Sequence, residues 1–217
     1  MLIVCWSVKG GSGTTVVATS LALLHATRGI HTTLVDLAGD APACLGMADP
    51  ISPGIGHWFE GFTADDTGVL DHLPVRSTAD LRVLPVGLAN YQGSVAHWES
   101  LAAWCARQPG TVVVDAGVGE PRDALLEVAH ESLLVVRGCY LALRRTARLV
   151  RRPDGVILLN EPGRALRRPE VESVSGAPVV AQLEWDPVVA RSVDAGLLAG
   201  RVPRSLREGL GELPWIQ

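Results

Sequence analysis

Three glycines at positions 10, 11 and 13 stand between an apolar strand pattern and an apolar helix pattern at the start of the chain. Leu2 to Ser7 reads as a short strand and Thr15 to Thr27 as a helix ending near Gly29, so the order is strand, glycine loop, helix. Without Cβ atoms, successive backbone N–H groups in such a loop can turn inward, and the helix that follows adds its positive amino-terminal end. A loop of this kind fits an anion, above all a phosphate. Thr15 opens the helix with its hydroxyl placed to ligate magnesium. The competing reading is a turn whose glycines only permit tight packing.

The remaining elements alternate. A strand over His31 to Val35 ends in Asp36, and Ala38 to Pro53 reads as loop with at most a short helix. Two short helical pieces are expected between Ile55 and His72, and a strand in Asp80 to Pro85. A helix over Tyr91 to Arg107 precedes the strand Thr111 to Val114, which ends in Asp115. Then come a helix near Pro121 to His130, a strand Ser132 to Val136, a helix Leu141 to Val150 and the strand Gly155 to Leu159, ending in Asn160. Val179 to Leu183 is a strand, with helices around Val188 to Ala195 and Ser205 to Leu213. This alternation predicts an α/β fold with a mainly parallel β-sheet and helices on both faces. Ligands of such sheets bind at the carboxyl ends of the strands, where the loop, Asp36, Asp115 and Asn160 converge.

With 217 residues and 47% hydrophobic content, the chain suits a single domain over 1–217. No apolar run reaches the length of a membrane span, and the first residues lack a signal-peptide pattern, which predicts a cytoplasmic location. Cysteines 5, 44, 105 and 139 form no C-x-x-C pair and read as buried thiols. Trp6, Trp98 and Trp104 read as core. Of nineteen basic residues one is lysine, Lys9, and it lies immediately before Gly10-Gly11.

The segment Val8-Lys9-Gly10-Gly11-Ser12-Gly13-Thr14-Thr15 resembles the deviant phosphate loop of the MinD/ParA family, K-G-G-x-G-K-[ST], with Lys9 at the signature lysine and Thr14 where the loop lysine belongs. Leu34-Val35-Asp36 is similar to the strand leading into switch I, Val112 to Gly117 to the Walker B and switch II segment, and Leu158-Leu159-Asn160 to the strand whose asparagine contacts adenine. The resemblance spans nearly the whole chain and implies a P-loop NTPase (MinD/ParA-like) fold that binds ATP or ADP with Mg2+. It assigns Lys9, Gly10, Gly11, Ser12, Gly13, Thr14, Thr15, Asp36, Asp115 and Asn160 to the nucleotide, and Thr15, Asp36 and Asp115 to the metal. In that family a second switch I aspartate helps orient the attacking water. Ala38 occupies that position here and Asp40 is the nearest substitute, so Lys9 and Asp40 are the catalytic candidates and hydrolysis is expected to be weak or absent. The signature lysine reaches across a dimer to the partner's nucleotide, which implies a homodimer.

Residues 137 to 168 hold nine arginines against Asp154 and Glu161, a basic stretch suited to nonspecific DNA or an acidic protein partner, or else a solvated helix surface. Leu206, Leu210, Leu213, Trp215 and Ile216 lie near Arg201, Arg204 and Arg207. They are similar to the amphipathic membrane anchor of MinD-like proteins, and packing of a terminal helix is the competing reading. Three functions follow: a nucleotide-dependent positioning or partitioning switch for a chromosome, division site or pilus machinery; a pseudo-ATPase scaffold recruiting a protein partner; and an ATP-dependent metabolic enzyme of the same superfamily.

Overall fold

Leu2–Ser7 is buried at every position, as its apolar run requires, and forms β1 near the middle of a sheet that has eight strands among the described residues. The computed structural model describes residues 1–48, 53–88 and 92–216. The strands are β1, β2 (Thr32–Asp36), β3 (Val75–Arg76), β4 (Leu81–Leu84), β5 (Thr111–Val118), β6 (Glu131–Arg137), β7 (Gly155–Asn160) and β8 (Val179–Glu184), in the order β3-β4-β2-β5-β1-β6-β7-β8. Every pairing is parallel except β3 with β4.

Parallel strands need a crossover between them, and the crossovers carry the helices. These are α1 (Thr14–Ala26), α2 (Ala41–Cys44), α3 (Ile55–Gly61), α4 (Val95–Arg107), α5 (Asp123–Val128), α6 (Tyr140–Thr146), α7 (Arg168–Ser175), α8 (Pro187–Asp194) and α9 (Arg204–Gly211). Because side chains alternate along a strand, Leu2, Val4 and Trp6 of β1 enter one core with Trp58, Trp98, Leu101 and Leu125, while Ile3 and Cys5 enter the other with Val17, Leu21, Leu206 and Leu210. Both faces are covered, as a parallel sheet demands. Trp6, Trp98 and Trp104 are buried core residues, as read from the sequence. Cys5, Cys44 and Cys105 are buried free thiols, and Cys139 is half-buried.

Two elements were not expected. β3 has two exposed residues, too few to show any period, and it closes the edge of the sheet antiparallel to β4. α7 is polar nearly all round, with Val171 and Ser175 its buried positions, so it lacks the apolar stripe that reveals a helix. The helix expected to reach Val150 stops at Thr146, whose Oγ1 donates to the Ala142 carbonyl at 3.0 Å. The expected start of α4 at Tyr91 lies outside the described residues. Ser94 caps this helix, accepting the His97 amide at 3.3 Å, and Val95 begins it. Ser94→Ala should cost about 1 kcal/mol, seen as a melting temperature lower by roughly 2–4 °C in a thermal scan.

Candidate functional site

The loop between β1 and α1 is built by its own short hydrogen bonds. Ser12 Oγ donates to the Lys9 carbonyl at 2.7 Å, and Ser7 Oγ lies 3.2 Å from both the Lys9 and Gly117 carbonyls, tying the loop to the end of β5. Gly11 (φ 74°) and Gly13 (φ 89°) take left-handed conformations that side chains oppose. Gly13 is the amino-terminal cap of α1, so no side chain covers the first amides of the helix, and no acidic residue occupies its first turn. A Cβ built at Gly10, Gly11 or Gly13 meets nothing within 4 Å. These residues open on a cavity of about 480 Å³ that also takes in Thr15, Asp40 and Gly117.

Asp36 and Asp115 are Cα partners across β2 and β5, both with 0% exposure. Asp36 Oδ1 accepts the amides of Ala38 (3.1 Å) and Gly39 (2.8 Å), and Oδ2 that of Ala41 (3.3 Å). Its carboxylate therefore holds the turn into α2. Burial pushes the Asp36 pKa up to about 7, against the pull of the Gly39 amide and with a contribution from Asp115. Asp115 Oδ1 accepts the Gly117 amide at 3.1 Å, while Oδ2 is buried with no hydrogen-bond partner among the described residues. Burial pushes Asp115 up to about 6; the Thr15 hydroxyl and Gly117 amide restrain the rise, and Asp40 adds to it.

An orphaned, buried carboxylate oxygen beside a threonine hydroxyl is the donor chemistry a hydrated magnesium ion would satisfy. Asp115 and Thr15 fit such an ion. Asp36, which the resemblance assigns to the same ion, accepts three amides with its two oxygens. Asp40 is exposed and borders the cavity.

Thr14 is buried (6% exposed) at the first position of α1 and contributes no cation. Lys9 Nζ turns onto the Gly10 carbonyl at 3.3 Å. A second cation reaches the loop from elsewhere: Arg145 Nη1 of α6 donates to the Val8 carbonyl at 3.1 Å. The sequence placed Arg145 only in the basic stretch, since nothing local ties it to a loop 137 residues earlier.

Beside Ser12 and Gly13 lies a second, mainly apolar cavity of about 270 Å³, lined in part by Val16, Leu159, Leu183 and Trp185. Asn160 does not line it, and its Nδ2 donates to Glu184 Oε1 at 2.7 Å. The sequence did not single out the apolar lining, because each of these residues reads alone as ordinary core.

The basic stretch is divided by ion pairs. Arg137 and Arg164 both meet Glu161, at 2.9 and 2.7 Å; Arg151 meets Asp123 and Glu127; and Arg168 meets Glu172. The membrane-anchor expectation for the tail is corrected. Leu206, Leu210, Leu213 and Ile216 are at most 5% exposed, packed in the core that α1 covers, and Trp215 stacks on His25 at 5.9 Å. Their apolar face is already covered by the protein itself. Among the described residues no helix is long and apolar enough to cross a membrane.

The sheet order, the glycine loop opening α1 and the two carboxylates paired across β2 and β5 define a P-loop NTPase fold of the MinD/ParA-like kind. The chain is similar along its length to solved structures of that fold. It matches a ParA family ATPase from Chlorobium tepidum TLS at 19% identity and TM-score 0.78, over 99% of this chain and 96% of that one. The septum site-determining protein MinD complexed with Mg-ADP from Pyrococcus horikoshii OT3 matches at 19% identity and TM-score 0.76, over 97% and 93%. MinD in the MinC:MinD cell division protein complex of Aquifex aeolicus matches at 17% identity and TM-score 0.73, over 97% and 92%. No protein-family model and no curated protein matches the sequence.

Proposed function

We propose that the chain, as one unit over 1–217, binds ADP or ATP with magnesium and works as a dimeric positioning or partitioning switch with weak or absent hydrolysis. The observation that carries this reading is the row of uncapped amides from Gly10 to Thr15, opening on a cavity bordered by Asp40 and Gly117, together with the buried, unpartnered Oδ2 of Asp115. The amides and the α1 terminus would bind the phosphates. The apolar cavity beside Gly13 would take the base, with Glu184, which accepts from Asn160, at its polar edge. Thr15 and Asp115 would hold magnesium, which when bound neutralises charge on the phosphate oxygens.

Two features oppose turnover. Thr14 supplies no ammonium to the transferring phosphoryl group, and Ala38 has no carboxylate for the water, leaving Asp40 as the nearest acid. They also support a second reading, a scaffold in which nucleotide is structural and the partner protein is the client. The similar structures name the company such folds keep: one holds Mg-ADP and another is a complex with MinC. The face around the loop exposes Val118 (61%), Tyr140 (70%) and Leu141 (56%), a surface that a second copy would cover. Lys9, whose Nζ lies on the Gly10 carbonyl, is the residue that the resemblance would send across to the partner's nucleotide.

Titration calorimetry of the chain with Mg-ADP tests this reading. Binding is expected, and Lys9→Ala should weaken it roughly tenfold and reduce nucleotide-dependent dimerisation in sedimentation velocity. No heat of binding at millimolar nucleotide would refute the assignment.

A further inference from the structure

We propose that Arg145 stands in for the absent loop lysine, a cation delivered to the phosphate loop from α6 across the sheet edge. The inference rests on the reading of residues 8–15 as a phosphate cradle. In an ordinary P-loop a lysine at position 14 would bring a positive charge to the β- and γ-phosphates. Thr14 brings none, while Asp40 borders the cavity and adds negative charge. A polyphosphate entering that field needs a cation at the mouth.

Two cations hydrogen-bond to the loop backbone among the described residues. Lys9 precedes the glycines and is turned onto Gly10. Arg145 comes from the other side. β6 runs parallel to β1 as its direct neighbour, so α6, which follows β6, begins at the same end of the sheet as the glycine loop. From there the guanidinium reaches the carbonyl of Val8 at 3.1 Å. A guanidinium carries five donors, and that bond uses one. Arg145 has no ion pair among the described residues, unlike Arg137, Arg151, Arg164 and Arg168 of the same stretch. Its charge is therefore unneutralised, exposed and fixed against the first residue of the loop. It acts as a positioning residue through Val8 and as a source of positive potential for the phosphates.

A double-mutant cycle tests this, with Mg-ADP and Mg-ATP as probes and calorimetry as the readout. Arg145→Ala should weaken both by roughly ten- to a hundredfold with the melting temperature unchanged, the size of one charge-assisted contact. Arg145→Lys should keep most of the affinity, and Arg145→Gln, which retains reach without charge, should lose it. In a Thr14→Lys background the same Arg145→Ala change should cost less than about threefold, because the loop then has its own cation and the two sites are coupled. Equal affinity of the parent and Arg145→Ala overturns the inference alone, and so does an equal loss in both backgrounds. Binding by Thr14→Lys with none by the parent also overturns it, since Arg145 would then compensate for nothing. Absence of binding by every form, Thr14→Lys included, sinks the cradle reading and the inference with it.

Discussion

Gly13→Asp is expected to abolish nucleotide binding while leaving the sheet folded. Gly13 has φ 89° and caps α1, and a Cβ placed there enters open space and not a neighbour. The added side chain therefore projects without obstruction where the cradle should receive phosphate. Two unit charges about 4 Å apart at an effective dielectric of about 20 repel by roughly 4 kcal/mol, so affinity should fall on the order of a hundredfold or more even with partial screening by magnesium. The left-handed backbone adds about 1–2 kcal/mol of strain to the folded state. Gly13→Ala carries that strain without the charge. It should lower the melting temperature by a similar amount yet retain most binding, and titration of both variants with Mg-ADP separates the two effects.

The nucleotide-free protein should be more stable at pH 5 than at pH 8. Asp36 and Asp115 are raised from 3.8 to about 7 and about 6, because burial disfavours their ionised forms. A carboxyl whose folded pKa lies above its unfolded one binds more protons in the fold. Its contribution is full below 3.8 and is lost as pH rises through the folded pKa, here between about 6 and 7. The direction is the reverse of that for a salt-bridged surface carboxylate. At 1.36 kcal/mol per unit, the two shifts together amount to a few kcal/mol between pH 5 and pH 8, on the order of half of a domain's stability. Denaturant unfolding at the two pH values measures this, and Asp115→Asn should reduce the difference by its own share while the part due to Asp36 remains, because the amide does not ionise. A protein that gains stability from pH 5 to pH 8 would contradict it.

Much of this site could be read from the chain because it is local. Gly10 to Thr15 announces a loop by composition alone, and Asp36 and Asp115 each end an apolar run, so a parallel sheet must bring them to one edge. The Cα pairing of these two aspartates is the direct outcome of that register. What escaped depends on contacts distant in sequence or on local backbone geometry. The bond from Arg145 to Val8 exists only because β6 lies beside β1, and β6 could not be placed there before the strand order was known. The engagement of Asp36 by three amides follows from the tight turn at Ala38 to Ala41, whose conformation has no signature in residue type beyond Gly39. The tail shows the same limit. Its spacing of leucines suits a membrane surface and a protein core equally well, and the core took them because α1 and β8 present an apolar face at that point.

The account stands on the amides of the loop as an anion cradle, and a crystal structure of the chain grown with excess Mg-ADP examines it most directly. Phosphate oxygens within hydrogen-bond distance of the backbone N–H groups between Gly10 and Thr15, with a metal ion near Thr15 and Asp115, is the predicted result. Nucleotide bound elsewhere on the surface, or a loop refilled by its own side chains with no phosphate in it, would contradict the claim.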